Sequence, residues 1–386
     1  MAGRPHNTAL IHSPELDSLS YPDSIPFNTS RAGKAVAALD RMGLLDGPDR
    51  AVVAPEPAPL DRIERFHTRR YLDALRRGAQ GEHNLDFLAM GIGTPDCPVF
   101  PEMFSYPRLA CGATLKAAEL LASGEAGIAF NPSGGYHHAD PERAAGFCYI
   151  NDVAIGSLAL IEQVDRLMVI DVDVHHGDGV ERAFYSRSDV MTVSFHESGR
   201  FLFPGTGFED DIGEGEGRGY AVNVPLPPGT YDEIYVRAFD AVAVPLIRAY
   251  RPDVIVLEVG MDALSGDPLA HLSLTNNAYC SVIRRVMAAD RPLLVTGGGG
   301  YHVENTARGW ALAWAVLCGA DEDEGSQAGL GGVMIETTDW TGGLRDRRLP
   351  PTDRQRRTVD PKVDATIRKV RANVFPYHNV DETDEA

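Results

Sequence analysis

Leu167-Met168-Val169-Ile170-Asp171-Val172-Asp173-Val174-His175-His176-Gly177-Asp178-Gly179 is the stretch on which the fold turns. Its first half is a continuous apolar run, the signature of a strand buried on both faces of a parallel sheet. Its second half is polar and ends in glycines. An extended chain alternates faces, so Asp171, Asp173 and His175 are expected on one side. Two carboxylates and an imidazole at a buried strand end are costly unless hydrogen bonds or a cation offset the desolvation.

Working outward, the same grammar recurs. Residues 127–130 run into Asn131-Pro-Ser-Gly-Gly-Tyr-His137-His138. Residues 190–195 run into His196-Glu-Ser-Gly199, residues 254–259 into Gly260-Met-Asp262, and residues 293–296 into four glycines and Tyr301. Helical patterns fall between them, near residues 111–123, 153–164, 231–250 and 276–289. Strands alternating with helices predict an α/β domain, with one mostly parallel central sheet between helical layers. Ligands of such sheets bind at the carboxyl edge. Five chemically rich strand ends therefore predict one shared site. Residues 1–60 read as Pro- and turn-rich with one helix near 31–42. From about residue 339 the chain changes character: residues 345–371 hold ten Lys/Arg against four Asp, and the end is acidic. The expected division is a catalytic unit over 1–338 and a tail over 339–386, packed on the surface or partly mobile.

The 386 residues carry 36 Lys/Arg against 55 Asp/Glu, a formal charge of −19, which argues against nucleic acid as a direct partner and suits a cationic one. The five cysteines show no CxxC pair, so neither a disulfide framework nor a Cys-rich zinc module is expected. There is no secretory pattern and no apolar run of membrane-spanning length, so a soluble cytoplasmic protein is expected.

Asp173 and His175, joined by Asp262, form a three-ligand set that leaves an open position on a catalytic zinc. His137 and His138 lie on a glycine-rich loop. Asp171 and Asp178 are spare acids that can hold their Nδ1 atoms, fixing tautomer and basicity. Gly297–Gly300 let the backbone approach closely, and the Tyr301 hydroxyl is suited to an oxyanion. No phosphate-loop pattern follows these glycines.

These motifs resemble the arginase–deacetylase superfamily, and within it the class I histone deacetylases and the bacterial acetoin-utilisation (AcuC-type) deacetylases. The resemblance is carried by Gly134-Gly-Tyr-His-His-Ala139, Gly146-Phe-Cys-Tyr-Ile-Asn-Asp152, Asp171-Val-Asp-Val-His-His-Gly-Asp-Gly-Val180 and Thr192-Val-Ser-Phe-His196. It continues in Phe203-Pro-Gly-Thr-Gly207, Gly266-Asp-Pro-Leu269, Gly297-Gly-Gly-Gly-Tyr301 and Asn305-Thr-Ala-Arg308. It implies the arginase/deacetylase fold and a zinc-dependent lysine deacetylase acting on acetylated protein or peptide, with Fe²⁺ as an alternative metal.

Residue by residue, the resemblance implies Zn²⁺ on Asp173, His175 and Asp262. His138 with Asp178 is the general base and acid, His137 with Asp171 an electrostatic aid, and Tyr301 the donor to the carbonyl. Phe147 and Phe203 flank the lysine tunnel, with Gly146 beside them and Leu269 near the mouth. Asp96 matches a rim acid, and Arg31 the arginine of an internal acetate channel. A structural K⁺ is implied on backbone oxygens of Asp171, Asp173, His175 and Phe195 with the Ser194 and Asp171 side chains. A second monovalent site is implied near Phe184, Arg187, Val190 and Tyr220. Three positions depart from the family pattern: Glu258 and Met261 stand where Gln and a small residue are common, and Tyr136 replaces Trp.

Three rival readings meet the same residues. A binuclear manganese hydrolase needs carboxylates where Gly177 and Leu264 stand. An acetylpolyamine amidohydrolase uses the same chemistry on another amine. A non-catalytic acetyl-lysine binder would not need the full set of dyads.

Overall fold

Strand β4 (Leu167–Asp171) shows how the sheet is sandwiched. Met168 and Ile170 pack into one hydrophobic cluster, while Leu167 and Val169 pack into another on the opposite face. The same split divides Ile255 and Leu257 from Val254 and Val256 on β7 (Val254–Glu258). Both faces of each strand are thus apolar because both are covered, which is why the sequence shows continuous rather than alternating runs.

The computed structural model describes residues 7–321 and 343–380. Its sheet has eight strands in the order β2-β1-β3-β8-β7-β4-β5-β6, and every pairing between them is parallel. The remaining strands are β1 (Thr8–Ile11), β2 (Arg50–Val53), β3 (Ile128–Asn131), β5 (Val190–Glu197), β6 (Ala221–Leu226) and β8 (Leu293–Thr296). The five strands legible in the sequence are the five consecutive central ones. β1, β2 and β6 extend the sheet at its two margins. The first two are four residues each, and neither runs into a glycine-rich loop as the equally short β3 and β8 do. β6 contains Pro225, which lacks the N–H of a ladder donor, and it lies at the sheet edge where that is tolerated.

One face carries α6 (Ser105–Ser123), α7 (Asp152–Leu160) and α8 (Asp178–Phe184). The other carries α2 (Ser30–Arg41), α9 (Asp232–Tyr250), α10 (Asn276–Met287) and α11 (Val303–Leu317). Short helices α1 (Pro14–Ser18), α3 (Leu60–Ile63), α4 (Arg69–Ala79) and α5 (Leu85–Ala89) build a third cluster with α6. Among the described residues no helix is long and apolar enough to cross a membrane.

From the basic tail comes α12 (Asp353–Val374). Its Val359, Val363, Val370 and Val374 recur at helical spacing and are buried in the main core, against β6 and α9. Each such aliphatic contributes on the order of 1.5–3 kcal/mol when fully buried. Residues 339–342 and the acidic end at 381–386 lie outside the described residues.

Candidate metal centre and active site

The site is built where β4 stops. Beyond Asp171 the chain is held by its own carboxylates: Asp171 Oδ1 accepts from Asp173 N at 3.0 Å, and Asp173 Oδ1 accepts from His175 N at 2.9 Å. Two successive turns of this Asx kind bend the chain out of the strand. The simple alternation expected for Asp171, Asp173 and His175 therefore ends at Asp171. Asp171 faces one cluster of side chains, and Asp173 and His175 face another.

The second cluster is Asp173, His175 and Asp262, all buried. His175 Nδ1 lies 3.2 Å from Asp173 Oδ1 and 3.0 Å from Asp262 Oδ2. The other oxygen of each carboxylate is already taken. Asp173 Oδ2 accepts from Gly299 N at 2.6 Å, and Asp262 Oδ1 from Val174 N at 2.9 Å. One lone pair from each residue is thus left converging on a common point. The glycine loop is wrapped tightly round them, for a Cβ on Gly299 would sit 2.0 Å from Asp262 Oδ2. Burial opposes charging of His175, but its hydrogen bonds to the Asp173 and Asp262 carboxylates outweigh it and raise its pKa to about 10. Burial and the charge of Asp173 push Asp262 up to about 7. The metal-free trio holds protons at the points where a cation would sit. Two carboxylates and an imidazole are the borderline donor set that suits zinc or ferrous iron, so these residues fit the metal expected from the sequence.

The first cluster surrounds the adjacent histidines. His137 Nδ1 lies 2.8 Å from Asp171 Oδ2 and 3.1 Å from Glu258 Oε1. His138 Nδ1 lies 2.8 Å from Asp178 Oδ1, and the two Nε2 atoms are 3.0 Å apart. Burial and the neighbouring His137 lower His138 to about 4 despite Asp178. For His137 the order is reversed. Burial opposes charging, but the Glu258 and Asp171 carboxylates prevail and hold its pKa well above the usual value. Arg182 donates to Asp178 Oδ2 at 2.7 Å and helps keep that carboxyl ionised. The histidine loop is shaped by Asp152, which accepts from Gly135 N and Tyr136 N.

Around the centre, the His138 and Phe203 rings meet edge-on at 5.0 Å, and those of Phe147 and Tyr301 at 5.7 Å. A Cβ on Gly146 would lie 2.4 Å from His138 and 3.0 Å from Phe203, so only glycine keeps this wall open. Phe203 is about half-exposed. Tyr301 stands edge-on to His175, their ring centroids 6.2 Å apart. Burial and the charges of Asp262 and Asp173 raise its pKa, so the hydroxyl stays a donor. Asp96 Oδ2 accepts from Gly146 N at 2.9 Å. Arg31 is buried, donating to Gly300 O at 2.6 Å and Gly298 O at 3.1 Å, with its guanidinium over Phe27 and Trp310.

Of the residues named for monovalent ions, Ser194 stands opposite Asp171 across β4 and β5, and its Oγ lies 2.8 Å from His196 Nδ1. Phe184, Arg187 and Val190 lie on the turn from α8 into β5, where Arg187 N donates to Phe184 O; Tyr220 O accepts from Thr192 N. Two acids with a visible part in the site were not singled out from the sequence. Asp267 accepts from Leu269 N at 2.9 Å and from Tyr301 N at 2.7 Å. Asp152 is the other. Both lie inside the quoted motifs, but nothing in one sequence separates a carboxylate that binds backbone from one that faces solvent.

The parallel α/β sheet with two Asp–His pairs buried at its carboxyl edge agrees with the arginase–deacetylase superfamily of hydrolases that the sequence motifs resemble. Residues 25–317 match the histone deacetylase domain. The chain is 40% identical over 312 residues to histone deacetylase 8 of Xenopus tropicalis, covering 80% of this chain and 83% of that one. It is 39% identical over 318 residues to histone deacetylase 3 of Oryza sativa subsp. japonica, covering 81% and 62%. The crystal structure of an HDAC homolog from Aquifex aeolicus superimposes with a TM-score of 0.82 at 30% identity, over 94% of this chain and 99% of that one. The chain belongs to the histone deacetylase family, and with it to the hydrolases that cleave acetyl-lysine amide bonds.

Proposed function

We propose that this protein is a zinc-dependent lysine deacetylase that hydrolyses N6-acetyl-lysine in proteins or peptides to lysine and acetate. The observation that carries this reading is the convergence of Asp173, His175 and Asp262 on one point beside His137 and His138. Asp173, His175 and Asp262 would hold the metal. When bound, a divalent ion there supplies Lewis acidity toward the acetyl carbonyl and acidifies water.

The chain's own residues do the rest. Phe147, Phe203 and Gly146 bury the lysine stem and exclude bulk water, with Leu269 at the mouth and Asp96 at the rim. His138 is neutral at pH 7 and accepts a proton at Nε2 as water adds to the carbonyl carbon, while Asp178 stabilises the resulting imidazolium. Tyr301 donates to the oxyanion. His137, charged between Asp171 and Glu258, stabilises the developing negative charge. His138 then gives its proton to the lysine nitrogen as the C–N bond breaks, leaving acetate and a free amine. Arg31 is assigned to the path by which acetate leaves. K⁺ is assigned to Asp171 and Ser194 with the backbone oxygens of Asp173, His175 and Phe195, and a second ion to the turn at Phe184, Arg187, Val190 and Tyr220. The location proposed is the cytoplasm.

The test is turnover of acetyl-lysine peptide and of N-acetylputrescine by zinc-loaded protein, with His138→Ala as control. Preference for the peptide, with loss of turnover but retained zinc in His138→Ala, supports the reading. Preference for N-acetylputrescine makes it an acetylpolyamine amidohydrolase. Binding of acyl-lysines without any turnover makes it a non-catalytic reader.

A further inference from the structure

We propose that a small apolar pocket on the loop carrying Asp96 binds a side chain of the acetylated peptide close to the lysine, so that the enzyme reads an apolar neighbour as well as the acyl-lysine. The proposal rests on the deacetylase reading above.

The pocket has a volume of about 300 Å³ and is lined chiefly by Leu85, Phe87, Leu88, Ile92 and Val99. That volume is at the low end for ligand sites and accommodates one large side chain. Leu85 and Leu88 are two of the few large apolar residues exposed among the described residues, at 82% and 50%. Exposed aliphatics gathered round a concavity mark a contact surface more than scattered ones do. Gly93 forms part of the floor: a Cβ there would lie 3.6 Å from Leu88 Cδ2 and 3.9 Å from Val99 Cγ2. Phe87 and Ile92 are buried and fix the inner wall.

What connects this pocket to substrate is a single turn. Gly93 N donates to Cys97 O at 2.8 Å, closing the loop whose tip is Thr94, Pro95 and Asp96. Asp96 is bound in turn to Thr94 Oγ1 at 2.7 Å and to Gly146 N at 2.9 Å. Gly146 stands against His138 and Phe203. The same five-residue turn therefore carries the pocket floor at one end and the tunnel rim at the other. An extended peptide advances about 3.3 Å per residue. In the proposed pose, a peptide held at Asp96 with its acetyl-lysine in the tunnel reaches the pocket with a side chain one to three residues from that lysine. A small acetylated amine has no chain to reach it. The occupant is an aliphatic or aromatic side chain, because five of the lining side chains, Leu85, Phe87, Leu88, Ile92 and Val99, are apolar, with His83 and Asn84 the polar ones beside them.

The experiment uses the zinc-loaded full chain and acetyl-lysine peptides in which Leu or Ser is placed at each of the three positions on either side of the lysine. N-acetyl-lysine amide serves as the substrate too short to reach. One apolar side chain filling such a pocket changes kcat/KM by roughly tenfold or more. The expected result is a Leu-over-Ser preference of that size at one position. In Leu88→Asp it disappears, while kcat/KM for N-acetyl-lysine amide stays within about twofold. Equal rates for Leu and Ser peptides at every position overturn the proposal. So does a Leu88→Asp variant that slows the short amide in parallel with the peptides. If no acyl-lysine is turned over, the deacetylase reading fails, and anisotropy of the same labelled peptides then decides the pocket: a Leu preference that Leu88→Asp removes sustains it, and its absence ends it.

Discussion

Glu258 Oε1 lies 3.1 Å from His137 Nδ1, the nitrogen that already serves Asp171 Oδ2 at 2.8 Å. Asp171 and Glu258 stand opposite each other on β4 and β7. Both are buried, and neither Glu258 oxygen has a hydrogen bond of good geometry. One ring N–H cannot satisfy two carboxylates, so the second acts on His137 through its charge wherever it is ionised, which is the case toward alkaline pH. Burial and the charge of Asp171 raise the Glu258 pKa well above its usual value.

The first prediction concerns that charge. Glu258→Gln removes the largest influence holding His137 protonated, so the His137 pKa falls. His137 then loses its positive charge at a lower pH than in the parent. The expected outcome is an alkaline limb of the pH–kcat profile displaced toward lower pH, with the acidic limb retained. A profile superimposable on the parent's would show that Asp171 alone sets the state of His137.

The second prediction concerns the tyrosine and its anchor. Tyr301→Phe is expected to lower kcat by roughly two to three orders of magnitude, as loss of one oxyanion donor does. Asp267 never reaches the reacting atoms, but its two oxygens tie the Leu269 and Tyr301 backbones together. Asp267→Asn keeps one acceptor and turns the other into a donor facing an N–H. Its kcat should fall by roughly tenfold while KM for the peptide changes little, since the loss is of transition-state positioning. Combining it with Tyr301→Phe should add almost nothing. Full additivity in the double variant would separate Asp267 from Tyr301.

How the sequence carried this much is visible in particular residues. Central strands are buried on two faces, and runs such as Val254–Glu258 announce themselves by composition alone. The polar residues behind them stand out because burial makes unpartnered polar groups costly. Marginal strands obey weaker constraints. β1 and β2 run into no glycine-rich loop of the kind that marks the ends of the equally short β3 and β8, and β6 breaks the rule against proline by lying at an edge. The consequence of Glu258 was hidden for a different reason. Its departure from the usual Gln is plain in sequence, but that it shares one nitrogen with Asp171 depends on strand register, which no single sequence displays.

A third prediction tests the shell under the histidine loop. Asn151 N donates to His67 Nε2 at 3.0 Å, and Asn151 Nδ2 donates in turn to the carbonyls of His137 and Ala139. Burial lowers the His67 pKa from 6.5 to about 3. The folded state therefore holds neutral His67, and its stabilising effect is complete above pH 6.5. As pH falls below 6.5 the unfolded chain binds the proton first, and stability declines by about 1.4 kcal/mol per pH unit toward pH 3. Urea unfolding between pH 7.5 and 5 should show this one-proton slope beyond that of His67→Gln. Equal slopes for the two proteins would mean that His67 is not held neutral in the fold.

The last prediction concerns the protons that a metal must displace. In the metal-free trio His175 titrates at about 10 and Asp262 at about 7, while Asp173 is held ionised by His137 and His175 against the effect of burial. At pH 7 the imidazole therefore carries its proton, and Asp262 is partly protonated. A divalent ion needs the neutral imidazole and both carboxylates, so loading must expel between roughly one and two protons. Calorimetric titration of metal-free protein with Zn²⁺ in buffers of different ionisation enthalpy measures that number directly. It should fall toward one as pH is raised from 7 to 8, because Asp262 deprotonates first, and apparent affinity should weaken as pH is lowered. Release of no proton at pH 7 would mean that the ion does not replace the proton on His175, and Asp173, His175 and Asp262 would lose their assignment as its ligands.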